Sequence, residues 1–308
     1  KRRKKMKNKK RVLALMLAGV LTLGCFPTTV GAVNNAYDGT KPADGTTKKQ
    51  PFLAGTGGST NFRIPGLVTL NDGTLVASSD ARWNGGGDGG GLDTIASVST
   101  DNGKTWNYSF PLYFPDSDGY IGNTATTIID PALVQGKDGE IYCIADVNPT
   151  GVTTMGGYKA PGEGTGYVKV NGKDYLAVTD NYDNVNTQPK DDDATTYAYY
   201  VGDWDENGYA KILKRSDHSE TGYGVDKWYN LYKVENGEYK DTLTQKQVNS
   251  NTDIQQNIFY KGSALHVYNT GYMMYAKTYD DGFTWTDPEI LNPQIKRPTK
   301  ETALLVSP

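Results

Sequence analysis

An eight-residue pattern, Ser/Thr-x-Asp-x-Gly-x-Thr-Trp, occurs twice in this chain and most constrains its fold. The copies lie at residues 99–106 and 278–285. In each copy, the Asp side chain can bind backbone N–H groups of its own turn, the Gly relieves the backbone and the Trp packs between strands. The pattern therefore predicts two structural turns, and the residues that build them are Asp101, Gly103, Trp106, Asp280, Gly282 and Trp285.

Short apolar runs separated by turns occupy much of the remaining sequence. Residues 67–70 and 75–79 flank a turn with Asp72-Gly73, and a turn with Asp138-Gly139 follows residues 132–134. Asp-Gly between apolar runs favours a hairpin because both residues tolerate positive φ. No segment after residue 32 carries a sustained helical stripe of apolar residues. We therefore expect an all-β chain, in which hairpins that recur with the eight-residue turn indicate the blades of a β-propeller.

The two copies of the turn are 179 positions apart, which is too far for adjacent blades. Between them, about residues 157–257, lies a stretch rich in Tyr, Gly and Asp. It has its own hairpin signals at Asn171-Gly172, Asn207-Gly208 and Asn236-Gly237. We predict a small β subdomain in this stretch, inserted into a partial propeller that extends over residues 51–308.

The first 32 residues are typical of a secretory signal peptide. They hold nine Lys and Arg residues, no acidic residue, and an apolar run at residues 12–24 that precedes Val30-Gly31-Ala32 as a cleavage site. An apolar run of 13 residues is too short to cross a bilayer, which needs about 20. A lipoprotein attached through Cys25 is an alternative. Residues 33–50 are predicted to be a linker, and the protein is expected to be secreted or on the surface of a bacterial cell.

Charge and composition exclude several classes of partner. Without the nine cations of the signal peptide, 23 Lys and Arg residues stand against 35 Asp and Glu residues, a net charge of about −12. Such an acidic protein is not expected to bind nucleic acid, or to contact a membrane except through the signal segment. Cys143 is the one cysteine beyond the signal segment, and His218 and His266 are the only histidines. Neither a disulfide, a metal site nor a cofactor is expected.

A second group of residues carries the chemistry. Phe62-Arg63-Ile64-Pro65 is followed by Arg82, 19 positions after Arg63, and by Asp88, 25 positions after it. Together with the two turns, which are called Asp-boxes, this arrangement resembles the bacterial exo-sialidases (neuraminidases), of the larger type with an inserted β subdomain. The resemblance implies a six-bladed β-propeller. It also implies an exo-α-sialidase that releases terminal sialic acid from glycoproteins, glycolipids and oligosaccharides by a retaining mechanism.

The resemblance also implies roles for individual residues. Arg63 would bind the carboxylate of sialic acid, because a guanidinium offers a planar fork of donors. Arg82 and Asp130 would bind the O4 side of the sugar, although Asp130 could instead be a turn acceptor before a proline. Asp88 lies within a run of glycines, and a mobile loop there could bring its carboxyl to the substrate as acid and base. Asp93 is the alternative acid.

Other expected parts of a sialidase site are not matched. The resemblance implies a tyrosine nucleophile activated by a glutamate, and further arginines, all of which we expect downstream of this chain. Arg215 and Arg297 lie outside matching contexts. The chain is therefore expected to be the front part of a longer enzyme and to be inactive alone. Two other functions stay open, an intramolecular trans-sialidase and a non-catalytic carbohydrate-binding propeller with Asp-boxes.

Overall fold

The computed structural model describes residues 36–37, 50–83, 85–114, 126–153, 159–241 and 257–297. The predicted signal peptide lies outside these ranges, and of the predicted linker only residues 36–37 and 50 lie inside them. Among the described residues, no helix is long and apolar enough to cross a membrane.

Nearly half of the described residues are in strands and few are in helices, which confirms the all-β prediction. The elements are β1 (Ala36–Tyr37), β2 (Asn61–Thr69), β3 (Leu75–Arg82), β4 (Leu92–Ser99), β5 (Trp106–Leu112), β6 (Thr127–Gln135), β7 (Ile141–Asn148), β8 (Tyr167–Val170), β9 (Lys173–Thr179), β10 (Tyr199–Trp204), β11 (Tyr209–Lys214), β12 (Glu220–Asp226), β13 (Leu231–Glu235), β14 (Glu238–Asp241), β15 (His266–Val267), β16 (Tyr272–Thr278), β17 (Glu289–Ile290), one α-helix, α1 (Asn292–Ile295), and the 3₁₀-helices Thr56–Gly58 and Tyr182–Asn186.

Strands β2, β3, β4 and β5 form the first antiparallel blade, in chain order. The turn between β2 and β3 is the predicted Asp-Gly hairpin. Gly73 has a φ of 89° and donates its N–H to the Leu70 carbonyl, and the Asp72 carboxylate accepts the N–H of Thr74 at 3.1 Å. Local turn chemistry therefore sets the register of this pair of strands.

Strands β6, β7, β16 and β17 form the second antiparallel blade. The blades meet where β6 runs parallel to β4, with Leu92 opposite Thr127. One Asp-box joins β4 to β5 and the other joins β16 to β17, so both boxes join the third and fourth strands of their blades. The expectation that the boxes are too far apart for adjacent blades is therefore wrong. The chain leaves the second blade after β7. It returns as β16, which pairs with β7.

The two Asp-boxes repeat the same hydrogen bonds. Asp101 accepts the N–H of Thr105 at 2.9 Å and its hydroxyl at 2.7 Å, and Asp280 accepts the N–H of Thr284 at 2.9 Å and its hydroxyl at 2.6 Å. The glycines of the two turns, Gly103 and Gly282, have φ angles of 75° and 102°. Trp106 is buried and Trp285 is partly buried.

The second Asp-box also holds the two blades together. Ser109 of β5 donates its hydroxyl to the Gly282 carbonyl at 3.0 Å and accepts the indole N–H of Trp285 at 2.9 Å. A Cβ on Gly282 would lie 2.8 Å from Val98 of the first blade. This turn therefore packs directly on the neighbouring blade, and a side chain at Gly282 would push the two apart.

A second sheet is built from the residues between β7 and β16. Its strands follow the order β14, β13, β12, β11, β10, β9 and β15, with β8 paired along β9. Strand β15 lies beyond the predicted limit of the insertion at residue 257, and the limits of that subdomain stay a prediction. Ile212 and Val225 of this sheet share one hydrophobic core with Ile128 and Met274 of the second blade. The two sheets described here do not close into a ring, as expected for an incomplete propeller.

We predict that Gly282→Ala destabilises the protein more than Gly73→Ala. Both glycines have positive φ, which costs an alanine roughly 1–2 kcal/mol. A Cβ at Gly73 meets nothing within 4 Å, whereas at Gly282 it meets Val98. Overpacking should add about 1–3 kcal/mol. Urea unfolding of the two variants measures the difference, and equal free energies of unfolding would contradict the proposed packing of the blades.

Candidate active site

Arg63 lies on a β-bulge in β2. The pairing with β3 shifts between Arg63, which lies opposite Asp80, and Gly66. Ile64, between them, has a φ of 56°, a strained conformation for a β-branched residue. The hydroxyl of Ser79 donates to the Arg63 carbonyl at 2.7 Å and fixes the backbone there. The Arg63 side chain is 49% exposed and is therefore accessible to a ligand.

Asp130 lies on a matching bulge in β6. The pairing with β7 shifts between Ile129 and Ala132, and Asp130 has a φ of 58° and precedes Pro131. Asp130 thus occupies in the second blade the position that Ile64 occupies in the first. Sequence analysis did not recognise this repeat, although a residue before proline near the start of each first strand is a visible signal.

The glycine-rich loop after β3 brings Asp88 onto both arginines. Asp88 Oδ1 accepts Arg82 Nη1 at 2.6 Å and Arg63 Nη1 at 2.9 Å. Arg82 Nη1 also donates to the carbonyls of Gly86 at 2.9 Å and Gly87 at 2.7 Å. The structure therefore brings Arg63, Arg82 and Asp88 together, and the two guanidinium groups share one carboxylate oxygen.

Two threonines, one at the start of β6 and one after β7, also bind this loop. Thr127 donates its hydroxyl to the Gly90 carbonyl at 2.9 Å, and Thr153 donates its hydroxyl to the Asp88 carbonyl at 3.3 Å. Thr153 follows β7, where the chain leaves the second blade. Contacts from both blades therefore set the position of the predicted acid.

Asp80 is a site residue that sequence analysis did not identify. Its Oδ2 accepts Arg82 Nε at 3.1 Å and Nη2 at 2.6 Å, and its Oδ1 accepts the backbone N–H of Asp130 at 2.9 Å. The side chains of Asp80 and Arg82 are both 0% exposed. The alternation Asp80-Ala81-Arg82 was a usable signal, because residues two apart on a strand lie on the same face.

The acidic groups of the site share the same positive charges. Burial raises the pKa of Asp80 to about 7, although the hydrogen bond and the charge of Arg82 lower it. Partial burial raises the pKa of Asp130, and Asp88 adds to this, while Arg82 and Arg63 act in the opposite direction. Hydrogen bonds connect the four predicted residues. Asp88 joins Arg63 to Arg82, and Asp80 joins Arg82 to the backbone of Asp130.

Asp93, the alternative acid, is engaged in the interior. Its side chain accepts the indole N–H of Trp83 at 2.7 Å and the backbone N–H of Phe114 at 2.8 Å. Asp93 is 0% exposed, whereas the Asp88 side chain is 25% exposed. The geometry therefore favours Asp88 over Asp93 as a group that meets a ligand, although the catalytic role of Asp88 stays a prediction. Within the described part of the chain, no group of three or more His, Cys, Asp or Glu side chains could hold a metal ion.

The chain resembles known proteins in sequence. It is 30% identical over 273 residues to an anhydrosialidase of Macrobdella decora, which covers 78% of this chain and 32% of that protein. It is 29% identical over 248 residues to a sialidase of Clostridium perfringens, which covers 76% of this chain and 63% of that protein. No protein-family model matches the chain.

A solved structure gives the same result in three dimensions. The intramolecular trans-sialidase of Ruminococcus gnavus, in complex with oseltamivir carboxylate, aligns at 31% identity with a TM-score of 0.61, over 79% of this chain and 51% of that chain. The chain belongs to the sialidase family. This confirms the resemblance and the incomplete sialidase-type propeller. The sialidase-family chain spans between about a third and two thirds of the length of the three proteins compared.

We predict that Arg82→Ala destabilises this sialidase-family protein far more than Arg63→Ala. Removing Arg82 leaves the buried Asp80 carboxylate without its counter-ion, which costs roughly 3–5 kcal/mol. Arg63 is half-exposed, so its ion pair is worth about 0–1 kcal/mol. Chemical unfolding above the Asp80 pKa of about 7 measures both losses.

The pH dependence of the Arg82→Ala loss provides its control. An unpaired buried Asp80 has a folded pKa above its unfolded pKa of about 4. The folded pKa of Asp80 is about 7 with Arg82 in place, and loss of the Arg82 charge raises it further. The extra loss caused by Arg82→Ala therefore grows as the pH rises through 7 and shrinks below it, where the carboxyl is protonated in both proteins. Similar losses for the two alanine variants, or a loss for Arg82→Ala that does not change with pH, would contradict the buried ion pair.

Proposed function

We propose that the full-length protein containing this chain is an exo-α-sialidase, which releases terminal sialic acid from glycans with retention at the anomeric carbon. Membership of the sialidase family supports the reaction class. The observation that carries the proposal within this chain is the carboxylate of Asp88, held by Arg63 and Arg82 at 2.9 and 2.6 Å. Sialic acid bears a carboxylate on its anomeric carbon, and the same donors suit it.

In this proposal the substrate replaces Asp88 at Arg63. The free-state contact neutralises an arginine that is half-exposed, and an incoming carboxylate offers Arg63 the same hydrogen bond with a second oxygen for the other nitrogen of the fork. Asp88 then leaves Arg63 but stays beside the anomeric carbon, because its loop is anchored to Thr127 and Thr153. Substrate binding thus frees the predicted acid where its proton is needed.

Asp88 acts first as a general acid and then as a general base. As an acid it protonates the leaving glycosidic oxygen, and as a base it later takes a proton from the attacking water. The nucleophile of this scheme is a tyrosine, because a carboxylate nucleophile would be repelled by the carboxylate of the substrate. We assign no residue of this chain to that role.

Arg82 and Asp130 are proposed to bind the O4 side of the sugar. A sugar hydroxyl both donates and accepts hydrogen bonds, so a guanidinium and a carboxylate suit it together. Arg82 is fully buried under the glycine-rich loop while Asp88 occupies its Nη1. Its contact with the sugar therefore depends on the same displacement of Asp88 that the carboxylate of the substrate brings about.

Export and substrate range complete the proposal. We propose that residues 1–32 direct secretion, so that the protein acts outside the cell on sialylated glycoproteins, glycolipids and oligosaccharides. The lipoprotein route through Cys25 would instead keep it at the cell surface. Its acidic composition gives no basis for a nucleic-acid partner.

An intramolecular trans-sialidase is the second candidate function. Similarity to an anhydrosialidase and to an intramolecular trans-sialidase favours it. In this variant a hydroxyl of the bound sialic acid, rather than water, attacks the anomeric carbon. The product separates the two reactions, because hydrolysis gives free sialic acid and the internal attack gives an anhydro sugar.

The proposed acid is tested with substrates whose leaving groups differ. A sugar hydroxyl leaves poorly without a proton, whereas an activated phenol leaves as a stabilised anion. Asp88→Ala in the full-length protein should slow release from natural sialosides by roughly 10²- to 10⁴-fold, and should slow bond breaking in aryl sialosides much less. Pre-steady-state bursts, measured alongside turnover, separate bond breaking from the later step.

The matched control is Asp93→Ala, which removes another carboxylate of the first blade, in β4. It should show no dependence on the leaving group. Equal losses with both substrates in Asp88→Ala, or a leaving-group dependence in Asp93→Ala, would show that Asp88 is not the acid. A full-length protein that binds sialosides without releasing sialic acid or an anhydro sugar would instead be the non-catalytic propeller.

A further inference from the structure

We infer that Asp80 is a positioning residue that orients both groups proposed for the O4 side of the sugar, Arg82 and Asp130. This inference rests on the proposed function and deepens it. Asp80 itself is fully buried, so it acts through its two partners rather than by touching the ligand.

Asp80 binds some of the donors of Arg82 and leaves another for the site. Its Oδ2 takes Nε at 3.1 Å and Nη2 at 2.6 Å, which form one edge of the guanidinium. The contacts of Arg82 with the glycine-rich loop and with Asp88 are all made by Nη1. Asp80 therefore holds one edge of the guanidinium in the interior and points Nη1 toward the site. When Asp88 leaves, Nη1 is the donor that becomes available.

Asp80 also binds the backbone of Asp130. Asp80 Oδ1 accepts the N–H of Asp130 at 2.9 Å, across 50 positions of sequence and from the first blade to the second. This hydrogen bond fixes the bulge on which Asp130 adopts its positive φ. One carboxylate thus sets the distance between the guanidinium of Arg82 and the residue that carries the Asp130 carboxyl.

Burial keeps Asp80 and Arg82 from exchanging each other for water. The side chains of Asp80 and Arg82 are 0% exposed, so water cannot replace either partner. Ser79, next to Asp80, also fixes the carbonyl of Arg63 through its hydroxyl. The end of β3 therefore anchors groups from two blades, and a change at Asp80 should alter recognition of the ligand rather than stability alone.

The test compares a sialoside with its 4-deoxy analogue on the full-length protein. In the unmodified protein, kcat/KM should be higher for the sialoside by roughly 10- to 100-fold, the range of a hydrogen bond to a charged group. Asp80→Asn should bring this ratio close to 1, because the amide keeps a single acceptor oxygen and can serve Arg82 or the Asp130 N–H but not both. Asp93→Asn, which changes another fully buried aspartate, should keep the ratio of the unmodified protein.

A second variant guards against loss of folding. Asp80→Glu keeps the negative charge that the buried Arg82 needs but displaces both oxygens by one methylene. It should be more stable to heat than Asp80→Asn and should still lose the preference for the 4-hydroxyl. A purely structural role would lower activity on both substrates equally, and an unchanged ratio in either Asp80 variant would overturn the inference.

The outcomes also separate this inference from the proposed function. An unmodified protein that releases no sialic acid and no anhydro sugar contradicts the proposed function. An active unmodified protein that does not distinguish the sialoside from its 4-deoxy analogue contradicts the inference and the O4 contacts on which it rests, but not the proposed reaction. Release that depends on the 4-hydroxyl, together with loss of that dependence in the Asp80 variants, supports both.

Discussion

The buried ion pair between Asp80 and Arg82 is the interaction on which the candidate site depends. Taking two charges out of water is expensive, and the cost is offset only where further hydrogen bonds complete the geometry. Here the backbone of Asp130 binds the free oxygen of Asp80, and the carbonyls of Gly86 and Gly87 bind the free edge of Arg82. The groups that stabilise the pair are thus the groups that form the site.

The strand geometry that supports this pair is a repeated one. Each blade begins with a strand that bulges before a proline, at Ile64 in β2 and at Asp130 in β6. In the first blade the bulge presents Arg63, and in the second it presents Asp130 itself. A long excursion after β7 leaves this arrangement intact because β16 returns to pair with β7 along its whole length.

Local patterns in the sequence predicted the local parts of this structure. The Asp-Gly hairpin at Gly73 and the Asp-box turns at Asp101 and Asp280 depend on residues a few positions apart, and each forms as its turn chemistry indicates. Arg63 and Asp88 were assigned to one site by resemblance, and in the structure their side chains form an ion pair at 2.9 Å.

The parts that sequence reasoning missed depend on long-range pairing. That the Asp-boxes lie in adjacent blades follows from the pairing of β7 with β16, which no local pattern reveals. The role of Asp80 needs a hydrogen bond to Asp130, 50 positions away. The glycine-rich loop was expected to be mobile because it has few side chains. Instead, Arg82 donates hydrogen bonds to the backbone carbonyls of the loop. Every residue has a backbone carbonyl, so these hydrogen bonds leave no signal in the sequence.

We propose that Asp88 occupies, in the free protein, the place that the carboxylate of the ligand takes. A crystal structure of the full-length protein with a bound sialic acid analogue tests this exchange. We expect a ligand carboxylate oxygen within about 3 Å of Arg63 Nη1, with Asp88 moved off Arg63 toward the anomeric carbon. A bound analogue with Asp88 still bridging Arg63 and Arg82 would contradict it.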